Sequence, residues 1–366
     1  METAEIGNNM KKIELEDLGY DAFFESNLKK SEFKDYLVAR VIAGYKGAYK
    51  VRGINGEYLA KISGKQGFNA QSKEDYPAVG DWVAITELDK ERAIIHGILP
   101  RKTVLRKKDR NRQESQIIAA NIDVAFIIES VDRDYSLNRF ERYFVLAENE
   151  NIKPAIVLNK IDLISEAELT LKVGQLKERF NGADIIPTSI ITGRGLDELT
   201  RHITPGQTYC FLGSSGVGKS SLINRLLGRD AIKIGDLNRH TGRGRHTTTG
   251  REMYFLENGG IVIDTPGMRE VGMVDSSVGI DSLFSEIIGL SKNCKYGNCT
   301  HLHEPGCAVL SAVKSKELDE NKYLNYIKLK KEAEHYGMTR VEKRRKDRRF
   351  GKFVKRASKQ LKNDEA

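Results

Sequence analysis

The stretch "GSSGVGKS" at 213–220 fits G-x-x-x-x-G-K-[ST], a spacing that lets a loop wrap its backbone N–H groups around phosphates. The apolar run "TYCFL" precedes it and "KSSLINRLLG" follows with helical character. The amides of Gly213, Ser214, Ser215, Gly216, Val217 and Gly218 therefore meet an anion where a helix begins. Lys219 reaches the β and γ oxygens, Ser220 offers a hydroxyl to Mg2+, and Ser221 joins the same contacting set. "DTPGM" at 264–268 follows the apolar "GIVI", which suits Asp264 as a Mg2+-linked carboxylate and the Gly267 N–H as a γ-phosphate contact. Between them "GRGRHTTTG" at 242–250 is Gly-rich and basic, without apolar periodicity. It reads as a switch loop in which Thr247 or Thr248, with Thr248 preferred, ligates Mg2+ when a γ-phosphate is present.

"VLNKIDL" at 157–163 reads as the base reader. The Asp162 carboxylate can accept from guanine N1–H and N2–H2, a pair adenine lacks, while Asn159 supports O6 and N7 and the Lys160 stem covers the ring. A buried carboxylate left unpaired against adenine is costly, which is the expected source of selectivity. Thr188 and Ser189 in "IIPTSI" fall where a second base-contacting loop is expected. The order along the chain is thus base reader, second base loop, phosphate loop, switch and Mg2+ aspartate. The parts are those of a GTP site in rotated order, as a circular permutation produces.

A second constellation is "CKYGNCTHLHEPGC", with Cys294, Cys299, His301 and Cys307 in C-x4-C-x-H-x5-C spacing. Three thiolates and an imidazole form a closed tetrahedral Zn2+ site of structural type; His303 is the second choice for the nitrogen ligand. Three of the four cysteines fall in this stretch, which favours metal over disulfides in a cytoplasmic chain. Cys210, within "TYCFL", reads as a small buried hydrophobe.

These residues need a frame. "YLVARVIA", "AYKVRG", "EYLAKIS", "DWVAITE" and "RAIIHGI" read as five short strands, enough for a small OB-fold barrel. The Gly-bearing polar stretch 64–80 is a candidate binding loop, and "RKTVLRKKDRNR" at 101–112 is a basic linker. From about 117 strands alternate with helices such as "NRFERYFVLAENE", which implies a parallel sheet covered by helices on both faces. The expected division is 1–35 as an extension with one short helix around "DAFFESNLKK", 36–105 as the OB-fold, 106–280 as the permuted nucleotide domain, 281–338 as a zinc-binding helical domain and 339–366 as a basic tail.

The net charge of +9 is concentrated at that tail: from Arg340 to Lys362 twelve Lys or Arg face only Glu342 and Asp347. A basic block on a near-neutral body points to a polyanionic partner. Composition is globular, at 39% hydrophobic and 30% charged. No apolar run reaches the roughly 18 residues a bilayer crossing needs, and the opening residues lack a signal peptide's apolar segment. The expectation is a soluble, cytoplasmic monomer with no membrane partner.

Through "NKID", "GSSGVGKSSL", "GRHTTT", "DTPGMRE" and "CTHLHEPGC" the chain resembles the circularly permuted GTPases of small-ribosomal-subunit biogenesis, the RsgA (YjeQ) family, over about 36–335. The resemblance implies an N-terminal OB-fold, a permuted P-loop GTPase domain and a C-terminal zinc domain. It also implies docking on the small subunit and its rRNA late in maturation, with GTP hydrolysis timing release. Competing readings are an RNA-binding module with structural nucleotide, and a GTPase of RNA modification or metal handling. Met268 stands after the D-x-x-G motif, where Ras-like enzymes carry a water-orienting Gln. Slow intrinsic hydrolysis follows, and His246 is the nearest candidate water positioner or, alternatively, an rRNA contact.

Overall fold

Short runs rich in β-branched and aromatic residues, continuous in β1 and β4 and alternating with polar ones in β3 and β5, form five strands in the first hundred residues: β1 (Leu37–Tyr45), β2 (Ala48–Gly53), β3 (Gly56–Ile62), β4 (Trp82–Glu87) and β5 (Arg92–Ile98). β2 pairs antiparallel with β1 and β3, β3 runs parallel to β5, β5 pairs with β4, and β4 returns to β1. The five-stranded barrel is thereby closed around Val41, Val51, Tyr58, Ala60, Val83, Ile85 and Ile95. The computed structural model describes residues 13–108, 115–132, 135–232, 251–265 and 277–338, with 342, 345 and 348. They fall in two units, one drawn from 1–105, 117–135 and 152–269 and the other from 106–116, 136–151 and 270–366.

The outer face of the barrel is covered from its own N-terminal side. A 3-10 turn at Glu16–Leu18 leads to α1 (Ala22–Lys30), capped by Asp21, whose carboxylate accepts from Phe23 N at 3.0 Å. Leu18, Tyr20 and Phe24 pack on Trp82, Ala84 and Leu99, with Tyr20 edge-on to Trp82 at 4.9 Å. The stretch 64–80 is more ordered than its polarity suggests. It holds α2 (Gly64–Asn69), capped by Ser63, and a turn at Lys73–Asp75 closed by a reciprocal Ser72–Asp75 capping box.

Arg40, on β1 in the middle of an apolar run, is 1% exposed. Its guanidinium donates to Leu18 O, to Gly80 O at 3.3 Å, to Asn121 O at 3.1 Å and to Thr208 Oγ1 at 2.8 Å. Burial pulls its pKa down to about 10, against the opposing pull of Asp123, Asp81 and Asp21, so it stays charged at neutral pH. One side chain thus ties the N-terminal turn and the barrel to the segment that enters the second sheet. Arg40→Met would leave the Leu18 and Asn121 carbonyls without this donor at a cost of about 1–3 kcal/mol each. We expect a loss of roughly 3–5 kcal/mol in urea unfolding; a change below about 1 kcal/mol would show that the joint is not structural.

After β6 (Val104–Lys108), within the stretch read as linker, and its ribbon partner β7 (Ser115–Ala120), the chain enters a second sheet. Its strands are β8 (Val124–Ser130), β9 (Lys153–Asn159), β10 (Ile185–Thr188), β11 (Thr208–Leu212), β12 (Glu252–Phe255) and β13 (Ile261–Asp264). The order is β10-β9-β8-β11-β13-β12, parallel except for β12, and the sheet continues into the barrel through the antiparallel pair Ala43↔Glu252. α4 (Glu166–Arg179), α5 (Leu196–Arg201) and α6 (Lys219–Leu227) belong to this unit. From β8 successive strands step one way to β9 and β10, and from β11 they step the other way. The crevice at the carboxyl ends of β8 and β11 is therefore the topological switch point, where open α/β sheets hold ligands.

The second unit contains α3 (Leu137–Asn149), α7 (Ser277–Leu283), α8 (Ser285–Ser291), α9 (Ala308–Lys314) and α10 (Glu320–Gly337). α3, read from sequence as one more helix of the nucleotide domain, packs here on α7 and α10. Gly279 permits the approach, since a Cβ there would lie 2.3 Å from Val145 O. Arg142 grips Glu332 with two bonds of 2.6 and 2.7 Å, and Asn325 donates to the buried Glu141. Among the described residues no helix is long and apolar enough to cross a membrane.

Candidate nucleotide site and metal centre

β11 is buried along its whole length and is followed by Gly213, whose φ is +150° and whose hydrogen stands where a Cβ would meet Ile128 O at 2.2 Å. The loop therefore leaves the sheet pressed against β8. It closes at Gly218, φ +103°, the residue before α6, with no side-chain cap. The first amides of α6 are thus left to an anion. Lys219 folds back along the loop, its Nζ 2.8 Å from Gly213 O and 2.5 Å from Ser214 O. Ser215 is buried, and Ser214, Ser220 and Ser221 are half-buried on either side of the helix start.

Asn159 binds the two halves of the site together. Its Nδ2 donates to Val217 O at 2.8 Å and its Oδ1 accepts from Thr188 Oγ1 at 3.1 Å, all three residues being buried. Gly218 has to be glycine partly for this reason: a Cβ there would lie 2.3 Å from Asn159 Nδ2. Ser189 Oγ donates to Asp162 Oδ1 at 2.5 Å, which orients the carboxylate. Asp162 itself is exposed, not buried as the selectivity argument assumed. It sits in a 3-10 turn, Ile161–Leu163, at the protein surface, so its desolvation has to come from the base that covers it. Lys160 adopts φ +63° and its Nζ lies 2.9 Å from Asp132 Oδ2. Asp132 was missed from sequence, where a single aspartate two positions past a strand looks like any turn.

Asp264, at the end of β13, is 5% exposed. Burial pushes its pKa up to about 6, Glu252 adds to the rise, and Lys219 opposes it. A buried carboxylate short of positive charge, near a helix start bearing Ser220, fits a divalent cation. His246, Thr247, Thr248, Gly267 and Met268 lie outside the described residues, as do 109–114 of the basic stretch and most of the tail.

In the second unit the ligand atoms of Cys294, Cys299, His301 and Cys307 lie within 4.8 Å of one another. Cys294 Sγ is 3.8 Å from Cys307 Sγ, and His301 Nδ1 is 3.6 and 3.5 Å from those two sulfurs. Ligands about 2.0–2.3 Å from a tetrahedral Zn2+ must be spaced by about 3.5–3.8 Å, so Cys294, His301 and Cys307 already stand at three corners of such a tetrahedron, with Cys299 close enough to supply the fourth. The set fits one Zn2+ with no open position. The loop is shaped around it: His301 takes φ +60° with its carbonyl held by Tyr323 OH at 2.7 Å, and Cys307 caps α9. His303 is exposed and stays outside the cluster.

The family model described as RsgA GTPase matches residues 98–274. The small ribosomal subunit biogenesis GTPase RsgA 1 of Bacteroides thetaiotaomicron is 38% identical over 336 residues, covering 91% of this chain and 93% of that protein. The chain belongs to the RsgA GTPase family. RsgA 2 of Lactiplantibacillus plantarum is 40% identical over 317 residues, 86% of this chain and 89% of the relative. Among solved structures, YjeQ from Thermotoga maritima superposes with a TM-score of 0.62 at 28% identity, over 83% of this chain and 99% of that one. YloQ, described as a circularly permuted GTPase, gives 0.56 at 25% identity, over 84% and 98%. The rotated motif order of this chain matches the permutation named for YloQ, and it stands here between a closed N-terminal barrel and the Cys3His cluster.

Proposed function

We infer that this chain hydrolyses GTP in the biogenesis of the small ribosomal subunit, binding that particle and leaving it according to nucleotide state. The observation that carries the reading is Asn159. A side chain bonded at once to the phosphate loop and to the second base loop makes base and phosphate recognition one rigid site. In this site Asp162 reads guanine, Lys160 covers it, Thr188 and Ser189 brace the reader, and the amides from Gly213 to Gly218, with Ser221, hold the phosphates. Lys219 compensates charge on the transferred group. Ser220, Asp264 and Thr248 or Thr247 are the residues that would hold Mg2+ bound with GTP, which would compensate the negative charge of the phosphates. Gly267 contacts the γ-phosphate.

The barrel, the zinc unit and the basic tail serve rRNA on the particle. The protein acts as a cytoplasmic monomer. Its hydrolysis is slow alone because Met268 cannot orient water, and a ribosomal surface orders the switch loop so that His246 can. The test is GTP turnover with and without purified small subunits. His246→Ala should remove most of the stimulated rate, about 10²–10⁴-fold, while GTP-dependent particle binding persists. Stimulation that survives with weakened binding would make His246 an rRNA contact. A wild-type rate indifferent to subunits would favour an RNA-binding module with structural nucleotide.

A further inference from the structure

The loop after β8 carries a pair of residues that no nucleotide motif includes. Ser130, buried at the end of β8, sits in register with Asn159 at the end of β9. Two residues past Ser130, Asp132 has its two carboxylate oxygens divided: Oδ1 accepts from Ser130 Oγ at 2.7 Å, and Oδ2 meets Lys160 Nζ at 2.9 Å. Lys160 holds the left-handed backbone conformation, φ +63°, which residues with a Cβ adopt uncommonly. Both members of the pair are 29% exposed in their side chains, so as a stabilising contact the pair counts for little. Its geometry is better explained by what it does to Lys160. A lysine carries much rotamer freedom, and freedom removed before the ligand arrives is not lost on binding.

We propose that Asp132 is a positioning residue for guanine binding. Clamped by Ser130, it holds the Lys160 stem where the base is to be covered. The proposal rests on the GTP reading of the site. Asp132 does not touch the nucleotide in this account, so its effect is equal for GDP and GTP and vanishes when Lys160 is absent.

The test measures fluorescent GDP and GTP affinities of the full chain with Asp132→Ala, Lys160→Ala and the double variant, alongside thermal unfolding. Asp132→Ala should weaken both nucleotides by about five- to tenfold with an unchanged melting temperature. The double variant should be no weaker than Lys160→Ala, and Asp132→Asn, whose amide oxygen can accept from Lys160 while its NH2 donates to the Ser130 hydroxyl, should recover part of the loss. Losses that multiply in the double variant, unchanged affinity in Asp132→Ala, or a loss confined to GTP would each overturn the positioning role. Absence of GDP and GTP binding by the unsubstituted chain would instead overturn the GTP reading beneath it.

Discussion

Asp162→Asn should lower GTP affinity by at least about a hundredfold and raise affinity for xanthosine triphosphate. The structure explains why the change should convert and not merely damage the site. Ser189 Oγ already donates to Asp162 Oδ1. An asparagine would keep its carbonyl oxygen on that hydroxyl and present its amide to the base, where guanine offers donors and xanthine offers the C2 oxygen. Because Asp162 is exposed, the substitution should leave stability within about 0.5 kcal/mol. Adding Ser189→Ala should blunt the gain for xanthosine triphosphate by releasing the amide from its orientation. Nucleotide binding competitions on the purified variants decide the matter; a variant that still prefers GTP removes Asp162 from the role of base reader.

The second large effect concerns the metal cluster. Zn2+ contributes on the order of 10 kcal/mol to the folding of small thiolate-bound modules, more than the whole stability of many domains. Cys299→Ala, or chelation of the wild type, should release one Zn2+ per chain and expose the amides of 294–307 and of α9 to hydrogen exchange. Cys307 supplies both a ligand and the α9 cap, so helix and metal should be lost together. Binding to small subunits should fall below detection while GTP affinity changes less than about threefold. Loss of nucleotide binding on chelation would contradict a purely structural metal.

The barrel was readable because its strands are short β-rich runs between Gly-bearing turns, and β3 and β5 alternate apolar with polar residues, a period that states both the element and its inward face. The metal ligands were readable because sulfur and imidazole at short spacings have few other uses. The phosphate loop declared itself through Gly213 and Gly218, whose positive φ values are conformations that side chains avoid. Depth and partnership were not readable. Nothing in "NKID" says that its aspartate stands at the surface, and nothing in α3's amphipathic pattern names α7 and α10 as its neighbours. Asp132 and Arg40 escaped for the same reason. Each acts through partners far along the chain, as in the bonds from Arg40 to Asn121 and Thr208, 81 and 168 positions away.

The central place of β11 has a consequence for the order in which the protein is made. β8, β9 and β10 leave the ribosome as the first piece of the sheet, and the edge of β8 that β11 will occupy stays open. The Asp123–Thr208 bond spans 85 positions and the Asn159–Val217 bond 58. At roughly 5–20 residues per second of synthesis that edge waits several seconds for its neighbour. The base-reading half is therefore synthesised before the strand that will hold it in register exists. An ordinary arrangement, with the phosphate-loop strand made first, lays down the central strand and adds the others to it. Here the nascent chain must protect an unpaired parallel edge, a surface that invites mispairing, until β11 slides into the gap.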